Sequence, residues 1–228
     1  MNDKSTFSTG GNRVLQRIDT GTCERLVAFL DIMGFKDMVA RQNETKIESK
    51  LFELSEYITQ SVNKEQNFIH FIFSDSIILF GTNDNLENIF DSFVSLVGKI
   101  VEKSISLGLP IKGAISKGSC TVAIGAKPFY FGQPIIDAYL LEESVVMYGV
   151  VLHNSVEEYA ERLSNNSELV YDYDVVLKGG HSKHYIVNWA RNDFELNRRN
   201  VLNIRKTVSD SPRRYVDNTM NCMKYIYD

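Results

Sequence analysis

The chain has 228 residues, 43% of them hydrophobic, which fits one large domain with an ordinary core. Its 25 basic and 29 acidic residues give a net charge of −4, which argues against a general nucleic-acid binder, because such proteins usually carry a basic excess. No apolar run approaches the roughly 20 residues that span a bilayer, and the polar start MNDKSTFSTGGNR lacks a signal core, so we expect a cytoplasmic protein with no membrane partner.

The first half of the chain predicts a strand, a helix, a hairpin of two strands and a second helix. The short apolar run RLVAFLD predicts a buried strand that ends at the turn DIMGF. From residue 35 to about residue 62, apolar side chains recur every three or four positions, which predicts an amphipathic helix. NFIHFIF and SIILF predict a tight hairpin with Asp75 at its tip. A second amphipathic helix is predicted over residues 84–109, with Gly108 at its end.

The second half of the chain predicts shorter elements. PIKGAISKG and SCTVAIG indicate a strand pair that turns near Lys117 and Gly118. PIIDAYLLEESV has a proline at a helix start, GVVLH is a short strand, and SVEEYAERL is a helix with a capping box of Ser155 and Glu158. LVYDYDVVLKGG and KHYIVNWA predict two late strands, and RRYVDNTMNCMKYIY predicts a last helix.

The order of these elements predicts the fold class. Helices placed between hairpins are typical of an α+β sandwich of the ferredoxin-like or palm type, with a central, mostly antiparallel sheet flanked by helices. We divide the chain into a flexible lead at 1–22, a main domain at 23–190, and a C-terminal extension at 191–228 that packs on the domain or on a dimer partner.

Two carboxylates lie at chain reversals. Asp31 ends the first predicted strand, and Asp75 lies at the hairpin tip. If the two strands are neighbours, both side chains meet at one edge of the sheet, where Mg²⁺ or Mn²⁺ binds carboxylates together with substrate phosphates. Gly34 permits a sharp turn, and the N–H groups at the following helix start attract phosphate. Each acid alone is more often a turn residue or a cap, but the pair predicts two-ion phosphoryl chemistry on a triphosphate.

The chain resembles the class III nucleotidyl cyclases, the adenylate and guanylate cyclase catalytic-domain family. FLDIMGF is similar to the family's first metal-aspartate motif, F-x-D-I-x-G-F, and FSDSIILF to its second, usually G-D-x-x-x-x-F. LPIKGAISKGSC resembles the pattern L-x-x-R-x-G-I-x-x-G, and YFGQPIIDAYLLEES lies where the family has a glycine and a helix with N-x-A-x-R. The resemblance covers roughly residues 26–189 and implies the class III cyclase fold for the main domain.

The resemblance also implies a set of site residues. Asp31 and Asp75 would hold two Mn²⁺ or Mg²⁺ ions, with the Ile32 carbonyl as a further ligand. Class III sites form across a dimer, which implies a homodimer with sites at the subunit interface. The residues that would bind the phosphates of the nucleoside triphosphate are Met33, Gly34 and Phe35 through their N–H groups, and Lys178 in the late K-G segment.

Several positions depart from the family. The base-reading position four residues before the second aspartate is lysine in adenylate cyclases and glutamate in guanylate cyclases, but it is Phe71 here. The second base-reading position falls in the aromatic run 129–131, and the helix IIDAYLLEE has neither the asparagine nor the arginine of the family. The candidates for base binding are Tyr57, His70, Phe71 and Phe73. The candidates for the missing positive charge are Lys36, Arg41, Lys112, Lys117 and Lys178.

These departures give the chain a resemblance to the bacterial pyrimidine cyclases of Pycsar antiphage defence, to which GQPIIDAYLLE and YIVNW are also similar. The resemblance implies a uridylate cyclase that converts UTP, or next CTP, to the 3′,5′-cyclic monophosphate and pyrophosphate. The cyclic nucleotide would then activate a separate downstream effector. Two alternatives remain: an adenylate or guanylate cyclase with unusual base contacts, and a non-catalytic sensor of nucleoside triphosphates.

Overall fold

The structure, a computed structural model, describes residues 21–41, 44–65, 67–81, 85–124, 128–206 and 210–227. All but the last two residues of the predicted lead at 1–22 lie outside the described residues. The strands are β1 (Gly21–Ile32), β2 (Phe68–Phe73), β3 (Ser76–Gly81), β4 (Ile111–Ala123), β5 (Phe129–Gly132), β6 (Gly149–Leu152), β7 (Val170–Leu177) and β8 (Gly180–Val187). The helices are α1 (Phe35–Arg41), α2 (Glu44–Glu65), α3 (Leu86–Ser106), α4 (Gln133–Ser144), α5 (Glu157–Asn166), α6 (Phe194–Arg205) and α7 (Asp210–Tyr227).

The described strands form one open, eight-stranded sheet. Its order is β2-β3-β1-β4-β6-β8-β7, and β5 pairs with the far end of β4. Neighbouring strands are antiparallel, except that β4 and β6 run parallel. The predicted fold class, a mostly antiparallel central sheet flanked by helices, is confirmed. In the described part of the chain, no helix is both long enough and apolar enough to cross a membrane.

The central strand β1 has both faces covered. Leu26 and Leu30 point into the main core beneath α2 and α3, on what we call the α3 face of the sheet. Val27 and Phe29 point to the opposite side, the α4 face, where the Phe29 ring lies 5.4 Å from the ring of Tyr139 on α4. Because helices cover both faces here, residues 26–30 of β1 form a continuous apolar run instead of an alternating one.

Two predictions of local structure are wrong. β4 is one strand of 13 residues without a turn at Lys117 and Gly118, because Gly118 remains paired with Arg25 of the long β1. Ser155 does not cap α5, which begins at Glu157 after a short 3₁₀ turn. The Ser155 hydroxyl instead accepts a hydrogen bond from the N–H of Lys117 at 2.9 Å. In both places a partner distant in the sequence decides the local structure.

The predicted helix from residue 35 to about residue 62 is also divided, into α1 and α2, and the sequence did not predict β5 or α6. The C-terminal extension contains α6 and α7, which pack against the main domain. The Thr219 hydroxyl on α7 accepts a hydrogen bond from the N–H of Tyr148 at 2.8 Å, just before β6. The Asn197 amide on α6 donates to Glu102 on α3 at 2.8 Å. A contact of this extension with a dimer partner stays a prediction.

Candidate functional site

Asp31 and Asp75 lie at the same end of the sheet. β1 and β3 are antiparallel neighbours, with Asp31 opposite Ser76. The N–H of Ile32 donates to the carbonyl of Asp75 at 2.9 Å and fixes the end of β1 against the hairpin turn. Ser74 has φ of 56°, a left-handed conformation typical of tight two-residue hairpin turns. The sheet register therefore brings together two acids that are far apart in the sequence.

The environment of Asp31 disfavours its ionised form. Burial is the main cause that raises the pKa of Asp31 to about 6, and the carboxylates of Glu142 and Asp75 raise it further. The charge of Lys112 and a hydrogen bond from the Ser76 hydroxyl partly oppose this shift in pKa. A half-buried acid beside two other carboxylates is a site where a bound cation would relieve electrostatic repulsion, and such perturbed groups are common at functional sites.

A buried ion pair lies directly beside Asp31. Lys112 is opposite Asp31 in the register of β1 and β4, and its Nζ lies 2.9 Å from Oε1 of Glu142. The Lys112 ammonium also donates to the carbonyl of Glu142, in the last turn of α4, at 2.8 Å. The sequence indicated Lys112 as one of several possible cations. Glu142 was missed because an acid in a helical run such as LLEES carries no signal that it is buried.

The residues at this end of the sheet fit a divalent cation. Asp31 and Asp75 provide the hard oxygen donors that Mg²⁺ and Mn²⁺ prefer, in a region of excess negative charge. Among the residues that the structure describes, no group of three or more His, Cys, Asp or Glu side chains is placed to form a complete metal site. Two acids are sufficient for Mg²⁺ that also binds substrate, because water and phosphate oxygens fill its remaining positions.

The predicted phosphate-binding turn follows Asp31. Gly34 has φ of 73°, which a residue with a side chain rarely adopts, and Phe35 is the first residue of α1. The N–H of Met33 donates to the carbonyl of Pro110 at 2.7 Å, so in this conformation it is not available to a phosphate. The role predicted for Met33 therefore requires a rearrangement that the roles of Gly34 and Phe35 do not.

The predicted cations lie in different environments. Lys178 is in the β7–β8 turn beside the end of α4, where its Nζ is 3.5 Å from Oε1 of Glu143. Lys117 lies over the ring of Tyr159, 4.7 Å from its centroid, and so belongs to the packing of α5. The others are Lys112, described above, the exposed Lys36, and Arg41, whose side chain lies outside the described residues.

The four predicted base-binding residues are divided between the two faces of the sheet. His70 lies on the α3 face, with Nε2 3.2 Å from the Thr59 hydroxyl of α2. Tyr57 also belongs to α2, packs against the main core and has the ammonium of Lys103 5.8 Å from its ring centroid. Neither residue shares a face with Asp31, because Asp31 points to the α4 face.

Phe71 and Phe73 do share the face of Asp31. The Phe71 ring packs 5.1 Å from the ring of Tyr130 on β5. Phe73 is opposite Ser76, which is itself opposite Asp31, so the three side chains form one row across the sheet. Phe73 is 78% exposed and so is open to contact with a ligand or another subunit.

An apolar cavity of about 460 Å³ lies behind the hairpin, between α1, α2 and the α3 face. Its apolar walls do not suit a triphosphate, so we place the candidate site at the sheet end and not in this cavity. The side chains that line it include Ile32, Phe35, Leu51, Phe52, Ile58, Ile72 and Ile77.

Solved structures match this chain over most of its length, whereas no family model and no curated protein matches it. The adenylyl cyclase CyaB from P. aeruginosa has a TM-score of 0.59 at 17% identity, over 75% of this chain and 96% of that one. The catalytic core of a rhodopsin-guanylyl cyclase with converted specificity, in complex with ATPαS, has a TM-score of 0.55 at 16% identity, over 73% of this chain and 98% of that one. This chain has the adenylyl and guanylyl cyclase catalytic-domain fold.

A third cyclase match is a non-canonical dimeric guanylyl cyclase domain of the RhoGC fusion protein from the aquatic fungus Blastocladiella emersonii. It has a TM-score of 0.53 at 15% identity, over 73% of this chain and 97% of that one. Identities of this size show the cyclase fold alone. The roles of Asp31, Asp75 and the phosphate-binding turn therefore stay predictions, as does the resemblance to the pyrimidine cyclases.

Proposed function

We propose that this chain is a metal-dependent nucleotidyl cyclase that converts a pyrimidine nucleoside triphosphate, UTP before CTP, to the 3′,5′-cyclic monophosphate and pyrophosphate. The observation that carries the proposal is the juxtaposition of Asp31 and Asp75 at one sheet end of a cyclase fold. The product would be a second messenger of Pycsar-type antiphage defence and would reach its effector protein by diffusion.

The chain's own residues would bind and orient the triphosphate. Asp31, Asp75 and the Ile32 carbonyl would hold Mn²⁺ or Mg²⁺, which acidifies the attacking hydroxyl and offsets phosphate charge when bound. The N–H groups of Gly34 and Phe35 would bind the β- and γ-phosphates. The ribose 3′-hydroxyl would lose its proton to solvent, and its oxygen would form a bond to the α-phosphorus as the bond to pyrophosphate breaks. Because little covalent chemistry falls to the protein, positioning provides most of the catalysis.

The side chain of Phe71 supports a pyrimidine substrate. Its position bears a lysine or a glutamate in the purine cyclases, and an aromatic ring offers no hydrogen bond to a purine edge. The ring is packed between Phe80 and Tyr130, at 5.9 Å and 5.1 Å, which reduces the space beside the sheet. With Phe73 on the same face, these rings suit a smaller base held by packing. Tyr57 and His70, on the other face, are not part of this proposed base site.

The substrate is tested by incubating the protein with each of the four ribonucleoside triphosphates and Mn²⁺ and identifying products by mass spectrometry. We expect cyclic UMP, with cyclic CMP as the second product. Cyclic AMP or cyclic GMP would instead support a purine cyclase, and binding without any product would support a sensor. Asp75→Ala is expected to remove the product, since it loses one of the two carboxylate ligands of the cation. Full activity in that variant would refute the two-ion mechanism.

The exposed side of α4 supports a homodimer. Ile136, Tyr139 and Leu140 follow each other at spacings of three and one, lie on one side of the helix, and are 51%, 44% and 55% exposed. Tyr139 also contacts Phe29, two residues before Asp31, so this stripe lies close to the candidate site. A cluster of exposed apolar side chains is typical of an association surface. Solved structures of the RhoGC cyclase domain include a non-canonical dimer and a monomer, so the choice of this surface rests on the exposed side chains of α4.

Replacing Ile136 and Leu140 together by glutamate is expected to yield a monomer without cyclase activity, because charges would be buried in the subunit contact. Light scattering coupled to size-exclusion chromatography gives the mass, and the nucleotide assay gives the activity. Phe52→Glu is the control, since Phe52 is 71% exposed on α2 beneath the other face. A double variant that remains dimeric and active would contradict this choice of surface.

A further inference from the structure

Lys112 and Glu142 form a buried connection between β4 and the last turn of α4. Their side chains are only 6% and 4% exposed, and Nζ lies 2.9 Å from Oε1. The same ammonium donates to the carbonyls of Glu142 at 2.8 Å and Glu143 at 3.4 Å. An ammonium has three N–H donors, and all three have acceptors here. In this structure the Lys112 ammonium therefore has no donor left for a bound nucleotide.

The Lys112–Glu142 pair lies next to the candidate site because of the register between β1 and β4. Lys112 is directly opposite Asp31, so the end of α4 is attached to the strand position that adjoins the predicted cation ligand. α4 also contacts β1 through Tyr139 and Phe29. α4 is thus held to β4 by the ion pair and to β1 by the contact of Tyr139 with Phe29. Its outer side bears the proposed subunit contact.

Stability alone does not account for a charged pair at this place. The desolvation of two buried charges offsets much of their attraction, and apolar residues of similar size often hold such elements together equally well. The charge of Lys112 instead balances that of Glu142 beside Asp31. Residues that orient the ligands of a bound metal typically change metal affinity or activity by roughly 10–100-fold when they are replaced.

We propose that Lys112 and Glu142 are positioning residues for the cation site. The pair holds the end of α4 against β4 and balances the charge next to Asp31, so that Asp31 stays in place as a cation ligand. The inference rests on the proposed function in that it assumes a cation at Asp31. Neither residue of the pair touches the reacting atoms.

Lys112→Met tests the proposal in two ways. Mn²⁺ affinity is measured without nucleotide, from the rise in unfolding temperature with Mn²⁺ concentration, and kcat and KM are measured with it. We expect Mn²⁺ binding roughly 10–100-fold weaker and a comparable fall in kcat. Lys112→Arg keeps the charge and the donors, so we expect it to restore Mn²⁺ affinity to near that of the wild type.

Lys183→Met is the matched control, because Lys183 forms an exposed pair with Asp172 at 3.0 Å on β7 and β8. It should leave Mn²⁺ affinity unchanged. The double variant Lys112→Met with Glu142→Gln removes the unpaired buried carboxylate and should fold even if Lys112→Met alone does not. We expect its Mn²⁺ binding to remain weak. Wild-type Mn²⁺ affinity in the double variant, or in a folded Lys112→Met, would show a purely structural pair and overturn the proposal.

The Mn²⁺ titration separates this inference from the proposed function. A wild-type chain that binds Mn²⁺ but forms no cyclic nucleotide would refute the cyclase proposal and leave the comparison of variants intact. A wild-type chain that forms product, beside a Lys112→Met variant that binds Mn²⁺ equally well, would refute the positioning role alone.

Discussion

Asp31→Asn is expected to abolish turnover and, at the same time, to stabilise the metal-free protein at neutral pH. Activity should fall by about 10³-fold or more, because a neutral amide is a poor ligand for Mg²⁺ or Mn²⁺ and leaves phosphate charge uncompensated. An ordinary structural acid would show the opposite combination, since its removal costs stability and leaves activity intact. The combined result therefore identifies a functional carboxylate.

The gain in stability follows from the pKa of Asp31, which is raised from 3.8 to about 6 in the folded chain. The folded state binds the proton more tightly than the unfolded state, so the ionised carboxylate costs stability above pH 6. That cost disappears as the pH falls through 6 towards 4. Because the side chain is only half-buried and partly screened, we expect about 1 kcal/mol in the free energy of unfolding at pH 7.5.

Thermal unfolding in the presence of a chelator measures this effect. At pH 7.5 the unfolding temperature of Asp31→Asn should exceed that of the wild type by about 2–4 °C, and near pH 4 the two should agree. Asp91→Asn, at an exposed position on α3, should change neither activity nor stability. A variant that is inactive but less stable than the wild type at pH 7.5 would show that Asp31 mainly supports the fold.

Gly113→Ala is expected to cause the largest loss of stability. Gly113 is opposite Leu30 in the β1–β4 ladder, and a Cβ at this position would lie 2.6 Å from the carbonyl oxygen of Phe29 and collide with the Leu30 side chain. Central strands that are packed on both faces cannot move apart without breaking their ladder. We expect a loss of about 3 kcal/mol or more in the free energy of unfolding.

The corresponding fall in unfolding temperature is about 6–12 °C. Activity should fall as well, because Gly113 adjoins the position opposite Asp31. Gly179→Ala is the matched control: a Cβ there has no neighbour within 4 Å, so the change should stay within about 0.5 kcal/mol by chemical denaturation. Equal losses in the two variants would mean that the close approach at Gly113 does not limit the structure.

The β1–β4 pair shows where local sequence patterns failed. Gly118 and Lys117 have the composition of a turn, yet β4 continues through them because β1 is long enough to pair with residues 111–122. Likewise, Ser155 has the spacing of a helix cap, yet its hydroxyl accepts a hydrogen bond from Lys117. Turn and cap patterns describe local preferences of a few kcal/mol at most, and long strand ladders and buried contacts outweigh them.

The sequence by itself determined the fold class and the position of the two acids at chain reversals. Both depend on periods of two or about 3.6 residues and on glycine and aspartate in turns, which act over a few neighbouring residues. Phe71 lies four residues before Asp75 in the sequence, but its departure from the purine cyclases is implied by the family resemblance and not by local patterns.

The tertiary structure alone decided which distant residues meet. It placed Glu142 beside Lys112 and Asp31, separated Tyr57 and His70 from the face of Asp31, and gave the N–H of Met33 to Pro110. These contacts depend on strand register and on the packing of α4 across the sheet. Register joins residues far apart in the chain, and a shift of one residue would exchange the two faces, so no local pattern encodes them.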